Sequence, residues 1–254
     1  MNGWRLRHRS SRALLYGGAL LLVLQAAFPF FWMVSTSFFT TTNFLIYFRN
    51  SMVVCGLTVL LTMAVSAAGA YSLTRYRYPG RGKIAGLILC TYMFAPIMVV
   101  IPFFILVKKL GIENTHFALV LALTSFCLPF TLWLLRAFFQ TIPIELEQAA
   151  LVDGAGRLRA VIYVVLPLAL PGIVATSIFT FILAWNDYIF TRILIASDEL
   201  KTLPVGVQDL FHSALTDWGL IMSAGMMITI PALIFFVSVQ RYLIRGWGAG
   251  AVKG

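Results

Sequence analysis

The residues best able to do chemistry in this chain are few, and they fall in two short groups. Trp185, Asn186 and Asp187 end a long apolar run, where an amide and a carboxylate could line the outer mouth of a solute pathway. The same three residues could instead form an interfacial helix cap with an aromatic anchor, and both interpretations stay open. Ion-coupled carriers usually keep an ionisable residue in mid-membrane. Polar residues are sparse within the apolar runs, which argues against such a carrier.

The second group lies in the stretch Glu145–Gly172, which holds three of the nine acidic residues of the chain. Pro143 suits a first helical turn, and two glutamates near that turn lie at the positive end of the helix dipole. The Asp-Gly pair at 153–154 indicates a helix end, because glycine accepts the left-handed conformation common there. The sequence therefore predicts a short helix over about 143–152, followed by a glycine turn.

A second helix is expected to follow this turn and to run into an apolar segment. Apolar residues recur beyond Gly156 at the i, i+3, i+4, i+7 spacing of one helical face. They are Leu158, Val161, Ile162 and Val165. Pro167 and Pro171 each remove a helix hydrogen bond, so we expect a kink where the polar loop joins the apolar helix.

Catalytic and cofactor patterns are missing from the sequence. It has no His-x-x-x-His or Cys-x-x-Cys pair, no Gly-x-Ser-x-Gly elbow and no paired carboxylates at helical spacing in an apolar run. The segment Pro79–Lys83 resembles the end of a phosphate-binding loop, but it lacks the first glycine and is followed by Ile84 where Ser or Thr is required. We expect no nucleotide site, cofactor or metal in this chain, and only Asn186 and Asp187 favour an intramembrane enzyme.

Composition places these groups in a membrane protein. The 254 residues are 60% hydrophobic and 11% charged, with a mean hydropathy of +0.91, whereas a soluble domain is about 25% charged. The three cysteines lie in apolar runs and are expected to be small buried side chains rather than a disulfide framework. The basic N-terminus could begin a signal peptide, but the apolar run after it is long enough to favour an uncleaved first span.

Six apolar segments are long enough to cross a bilayer, which predicts an all-α, polytopic protein forming a single transmembrane domain over residues 1–254. The predicted spans are about 13–35, 51–74, 84–107, 117–139, 160–189 and 220–244.

Charge fixes the orientation of these spans. With the N-terminus inside, fourteen of the nineteen basic residues and three acidic residues face the cytoplasm, a net +11, and the outer segments carry a net −1. This is the positive-inside pattern, so the formal charge of +10 predicts topology and argues against nucleic-acid binding. Both termini and the loop 140–159 are then cytoplasmic.

The cytoplasmic stretch resembles the signature of permease subunits of binding-protein-dependent ABC importers. The family pattern is Glu-Ala-Ala, three residues, Gly, nine residues, Ile, one residue and Leu-Pro. Here it matches as Gln148-Ala149-Ala150, Gly154, Val164 and Leu166-Pro167, with every spacing intact. Gln148 replaces the usual Glu, although Glu147 stands beside it, and Val164 replaces Ile.

Other segments look like the carbohydrate-uptake branch, similar to the smaller six-span permease of maltose-type importers. They are Asn50-Ser51, Tyr71 with the segment 75–80, the segments 184–187, 202–205 and 217–219, and the C-terminal segment 248–254. The chain departs from that branch near Phe38–Phe44, where relatives carry a longer outer loop.

The resemblance implies a role for the predicted short helix as a coupling helix that seats in a separate ATPase subunit. The residues it assigns to ATPase coupling are Glu147, Gln148, Ala149, Ala150, Asp153, Gly154, Leu166 and Pro167. It assigns the tail Val252, Lys253 and Gly254 to the ATPase interface, and the outer loop near Ala196–Gln208 to a solute-binding protein. Trp185, Asn186 and Asp187 would line the substrate pathway.

The function that the resemblance implies is the transmembrane subunit of an ATP-driven importer in a bacterial-type cytoplasmic membrane. Its expected partners are a second permease, two ABC ATPase subunits that bind ATP and Mg, an extracytoplasmic solute-binding protein and the lipid bilayer. The expected cargo is a sugar or sugar-like solute, with a glycerol-phosphate-type solute as the alternative. The alternative of another class is a self-sufficient secondary carrier or channel.

Overall fold

The computed structural model describes residues 43–211 and 218–248, and these residues are helical with no strand among them. The helices are α1 (Phe44–Arg75), α2 (Arg81–Thr91), α3 (Pro96–Lys109), α4 (His116–Gln140), α5 (Ile144–Val152), α6 (Arg157–Leu168), α7 (Leu170–Trp185), α8 (Ile189–Leu194), α9 (Leu203–Leu210) and α10 (Trp218–Gly248). A short 3-10 turn, Asp198–Leu200, lies between α8 and α9. The all-α prediction is confirmed for this part of the chain.

Two unbroken helices among the described residues, α1 and α4, are long and apolar enough to cross a membrane. They contain the predicted second and fourth spans. The predicted sixth span lies within α10. The predicted first span, the segment near Phe38–Phe44 up to residue 42, and the C-terminal tail Val252–Gly254 lie outside the described residues.

The predicted third and fifth spans are each built from two helices. α2 and α3 meet at a bend of 98°, and α6 and α7 meet at a bend of 75°. At the first bend Pro96 opens α3, and the preceding Ala95 is extended, as a residue before proline usually is. The second bend falls at Ala169, between Pro167 and Pro171, which confirms the predicted kink.

The four apolar residues predicted to share one face of α6 differ in burial. Val165 is fully buried, but Leu158 is 74% exposed and Ile162 is 45% exposed. α6 contains a π-helical segment, Val161–Val165. A π turn holds more residues than the 3.6 of an α-helix, so the angular spacing of side chains changes within this segment.

The membrane core is formed where α1, α4 and α7 pack closely. Small residues allow this approach: a β-carbon at Gly172 would lie 2.3 Å from Cγ of Phe138, and one at Gly69 would lie 2.7 Å from a methyl of Leu132. Thr131 of α4 and Thr180 of α7, both buried, are joined through their hydroxyls at 3.1 Å. Small residues and hydroxyl contacts are the usual means by which helices associate in lipid. Lipid tails are as apolar as the side chains, so the hydrophobic effect does not drive helices together there.

The described residues fall into two compact units. One holds 43–206 together with 232–248, and it contains the core just described. The other holds 207–211 and 218–231, where the rings of Phe211 and Trp218 meet edge to face with centroids 6.3 Å apart.

Candidate coupling site

The short helix α5 begins and ends close to the predicted limits. Pro143 takes the N-cap position with an extended ψ of 133°, so it precedes the first helical turn instead of lying in it. At the other end Gly154 has φ +87°, its N–H bonds the carbonyl of Leu151 at 3.1 Å, and the N–H of Ala155 bonds the carbonyl of Ala150 at 3.0 Å. This is the Schellman pattern, which confirms the helix end predicted at Asp153-Gly154.

Glu147 points inward from α5 and meets the C-terminal end of α1. Its Oε2 lies 3.0 Å from Nε of Arg75, and its Oε1 accepts a hydrogen bond from the Tyr71 hydroxyl. Arg75 also donates from Nη2 to the carbonyl of Ile142, at 3.0 Å, just before α5 begins. We call Tyr71, Arg75, Ile142 and Glu147 the inner cluster.

The inner cluster explains why an acidic residue can be buried here. Glu147 is only 7% exposed, and a buried carboxylate is costly unless it is paired and hydrogen-bonded. Arg75 supplies the charge, and Tyr71 supplies a second donor. Because removing one partner would leave the other buried and unpaired, the cluster strongly favours one position of α5 against α1.

The opposite side of α5 is exposed and carries both polar and apolar side chains. Glu145, Gln148 and Ala149 are exposed, Val152 is 86% exposed, and Ala150 is half-buried. Gln148 and Glu147 therefore point to different sides, and Glu147 does not supply an outward carboxylate in place of Gln148. A short helix with an exposed, partly apolar side suits docking to another protein.

The residues after the glycine turn connect α5 to the membrane core. Leu166 packs against the buried cluster formed by Ala70, Leu135, Phe139, Ile142, Val165 and Ala169, which joins α1, α4 and α6. Pro167 is exposed and lies one residue before the end of α6.

Arg157 lies at the start of α6 beside Tyr76. Its guanidinium lies 5.7 Å from the centre of the Tyr76 ring, and its Nη1 donates to the Tyr76 hydroxyl at 3.4 Å. This hydrogen bond raises the pKa of the Arg157 guanidinium, so the side chain stays charged. The sequence interpretation did not single out this contact, because Tyr76 and Arg157 lie in different loops.

Trp185, Asn186 and Asp187 form the end of α7 and the start of α8. Trp185 is buried against Phe181 and Phe48, and the Asn186 amide donates to the carbonyl of Ile182 at 2.8 Å. Asp187 accepts from the N–H of Phe190 at 3.2 Å, and from the N–H and hydroxyl of Thr191 at 3.0 and 2.9 Å. These contacts are those of a helix cap with an aromatic anchor, and a pathway role for the three residues stays a prediction.

A second set of contacts, at the opposite end of α1, brings together two segments that the sequence showed only separately. The Asn50 amide donates to the carbonyls of Glu199 and Lys201 at 2.7 and 3.0 Å, and the Ser51 hydroxyl accepts from the N–H of Leu203 at 2.8 Å. We call Asn50, Ser51, Glu199, Lys201 and Leu203 the outer cluster. Asn50-Ser51 and the segment 202–205 each resemble the family, but the sequence did not predict that they are in contact.

Asn114 adds a second attachment for the loop that carries Glu199 and Lys201. It has φ +55°, and its Oδ1 accepts from the N–H groups of Ala196 and Ser197 at 2.9 and 3.0 Å. A ring nitrogen of His116 lies 2.9 Å from the carbonyl of Leu200. Within the described residues no group of three or more His, Cys, Asp or Glu side chains is placed to hold a metal ion.

Comparison with known proteins identifies the same family that the cytoplasmic signature resembles. Residues 61–248 match the model of the family described as binding-protein-dependent transport system inner membrane component. The inner membrane ABC transporter permease protein YcjP of Escherichia coli is 34% identical, over 96% of this chain and 97% of its own length. The trehalose/maltose transport system permease protein MalG of Thermococcus litoralis is 32% identical, over 96% and 97%.

A third relative and a solved structure agree with these two. The diacetylchitobiose uptake system permease protein DasC of Streptomyces coelicolor is 34% identical, over 93% of this chain and 95% of its own length. A chain from the crystal structure of a bacterial ABC transporter that imports the acidic polysaccharide alginate superposes with a TM-score of 0.73. That chain is 22% identical and covers 92% of this chain and 98% of its own length. At that identity, the likeness shows a shared fold.

Proposed function

This chain belongs to the family of binding-protein-dependent transport system inner membrane components, and we propose that it is one permease subunit of an ATP-driven importer for a sugar or sugar-like solute. The proposed complex contains a second permease, two ABC ATPase subunits that bind ATP and Mg, and an extracytoplasmic solute-binding protein. Relatives named for trehalose or maltose and for diacetylchitobiose support the proposed class of solute.

The observation that carries the proposal is the construction of α5. One side of this helix is fixed to α1 by the inner cluster, and the other side exposes Gln148, Ala149 and Val152. A helix of nine residues is about 14 Å long, so it can move as one rigid body. We propose that an ATPase subunit docks on the exposed side and that its ATP-driven closure displaces α5.

The test is ATP hydrolysis by the reconstituted complex, measured with and without the solute-loaded binding protein. Gly154→Val forces a β-branched residue into the left-handed conformation at φ +87°, so the turn after α5 must change. Ala150→Glu places a carboxylate at a half-buried position of the same helix. Both variants are expected to insert and assemble, and both should lose most of the stimulation by the binding protein.

Matched controls separate the coupling role from general damage. Gly154→Asn keeps a residue that tolerates the left-handed conformation, and Ala150→Ser keeps a small side chain, so both should retain stimulation. Full stimulation of Gly154→Val and Ala150→Glu would show that this loop is not the coupling element. Uphill uptake of labelled trehalose or maltose into proteoliposomes by the chain alone would favour a secondary carrier instead.

A further inference from the structure

We propose that α1 transmits movement between the coupling helix and the outer loop 196–206, through the inner cluster at one end and the outer cluster at the other. Glu147 and Asn50 are then positioning residues for the transport cycle, acting at opposite ends of one helix. This inference rests on the proposed function, because it assumes that α5 is displaced by an ATPase and that the outer loop meets the binding protein.

The first argument is continuity. α1 runs unbroken from Phe44 to Arg75, and the 26 residues from Asn50 to Arg75 span about 38 Å along the helix axis, more than the ~30 Å hydrocarbon core of a bilayer. The other connection from the coupling loop, α6 to α7, is bent by 75° at Ala169 and contains the π-helical segment Val161–Val165. A continuous hydrogen-bonded helix passes an axial displacement along its length, whereas a bent one can absorb it at the bend.

The second argument is that both ends of α1 are held by directional polar contacts. At the inner end, Tyr71 hydrogen-bonds and Arg75 ion-pairs with Glu147 of α5, and Arg75 also donates to the carbonyl of Ile142. At the outer end, the Asn50 amide bonds two backbone carbonyls of the outer loop, at Glu199 and Lys201. Hydrogen bonds and ion pairs fix relative position more strictly than apolar contacts, which are non-directional.

The third argument is the close packing at the outer end. Gly206 is the last residue of the same loop, and a β-carbon there would lie 2.3 Å from the ring of Tyr47, one turn before the outer cluster on α1. Ser51 also receives the N–H of Leu203, so the first turn of α9 rests directly on α1. The outer loop therefore contacts α1 at three positions, Tyr47, Asn50 and Ser51, and is expected to move with it.

The experiment uses the complete complex in lipid nanodiscs and measures the affinity of the solute-loaded binding protein in the nucleotide-free state and with bound ATP analogue. Glu147→Gln keeps the size of the side chain and an acceptor for Tyr71 but removes the charge that Arg75 needs. Asn50→Ala removes the two bonds to the outer loop. Each variant is expected to reduce the nucleotide-dependent ratio of affinities by about fivefold or more, within the usual range of allosteric coupling.

Control variants change neighbouring residues outside the clusters. Arg77→Gln removes an exposed charge two residues beyond the end of α1, and Met52→Leu keeps the volume of an exposed side chain beside the outer cluster. Both should leave the ratio of affinities unchanged. If Asn50→Ala fails to assemble, Asn50→Asp is measured instead, since it keeps the shape and removes the donor.

The double variant Glu147→Gln/Asn50→Ala gives the decisive result. Contacts acting through one helix should show losses that do not add, so the double variant should resemble the stronger single variant. Losses that add, or single variants with an unchanged ratio in an intact complex, would overturn the role of α1. A wild-type complex with no nucleotide-dependent affinity would overturn the proposed function, and with it this inference.

Discussion

Replacing Gly172 with alanine adds a β-carbon at the closest approach between α7 and α4. That atom would lie 2.3 Å from Cγ of Phe138 and 2.6 Å from its Cβ, whereas carbon atoms in contact are about 3.5–4.0 Å apart. Rotation of the Phe138 ring about its own axis moves neither Cβ nor Cγ, so the clash is relieved only by a shift of about 1 Å between the helices. Such overpacking costs about 1–3 kcal/mol.

The assay is thermal unfolding of the purified complex in detergent. At about 2–4 °C per kcal/mol for a chain of this size, Gly172→Ala should lower the Tm by about 2–12 °C. Gly56→Ala is the matched control, because a β-carbon there meets no atom within 4 Å and Gly56 lies inside the unbroken helix α1. Alanine is preferred over glycine in a helix by about 0.5–1 kcal/mol, so this control should raise the Tm slightly.

Glycine-to-alanine substitution is thus expected to lower the Tm at Gly172 and to raise it at Gly56, and the difference depends on the packing of α7 against α4. The double variant Gly172→Ala/Phe138→Ala should lose less stability than the two single variants together, because Phe138→Ala removes the closest atom, Cγ. An unchanged or raised Tm for Gly172→Ala would refute the close approach of α7 and α4. So would full additivity in the double variant.

Two further substitutions test other contacts of the described chain. Asp187→Ala should lower stability by about 0.5–2 kcal/mol by removing the cap of α8. Asp187→Asn keeps an acceptor and should be nearly neutral in the same thermal assay, so equal losses for both would argue against a capping role. Asn114→Gly keeps a residue that accepts φ +55° but removes the bonds to Ala196 and Ser197. It should increase hydrogen exchange of those two amides, and unchanged protection would contradict their attachment through Asn114.

Local sequence signals predicted the local structure of the coupling loop. The Asp-Gly pair at 153–154 predicted the end of α5, and Pro167 with Pro171 predicted the kink at Ala169, because glycine and proline act on the backbone within a few residues. The π-helical segment Val161–Val165 of α6 was not predicted, because the apolar spacing was interpreted with 3.6 residues per turn throughout.

Contacts between distant segments could not be predicted in this way. Glu147 is an exposed-looking glutamate in a polar loop, yet it is buried by Arg75 and by Tyr71, which lies 76 positions earlier in the chain. The same holds for Asn50, whose partners lie about 150 positions later. These pairs depend on how α1 packs beside α5 and the outer loop. The spacing of residues within one segment carries no information about that packing.

The most direct test of the central claim is a photo-cross-link from the exposed side of the coupling helix. A photoreactive benzoyl-phenylalanine is placed at Val152, which is 86% exposed at the end of α5, and in a control chain at Leu110, which is exposed beyond α3. After irradiation in whole cells, we expect a cross-link to an ABC ATPase subunit from position 152 and none from position 110. Capture of no ATPase from position 152, or equal capture from both positions, would contradict the claim that α5 couples this permease to a separate ATPase.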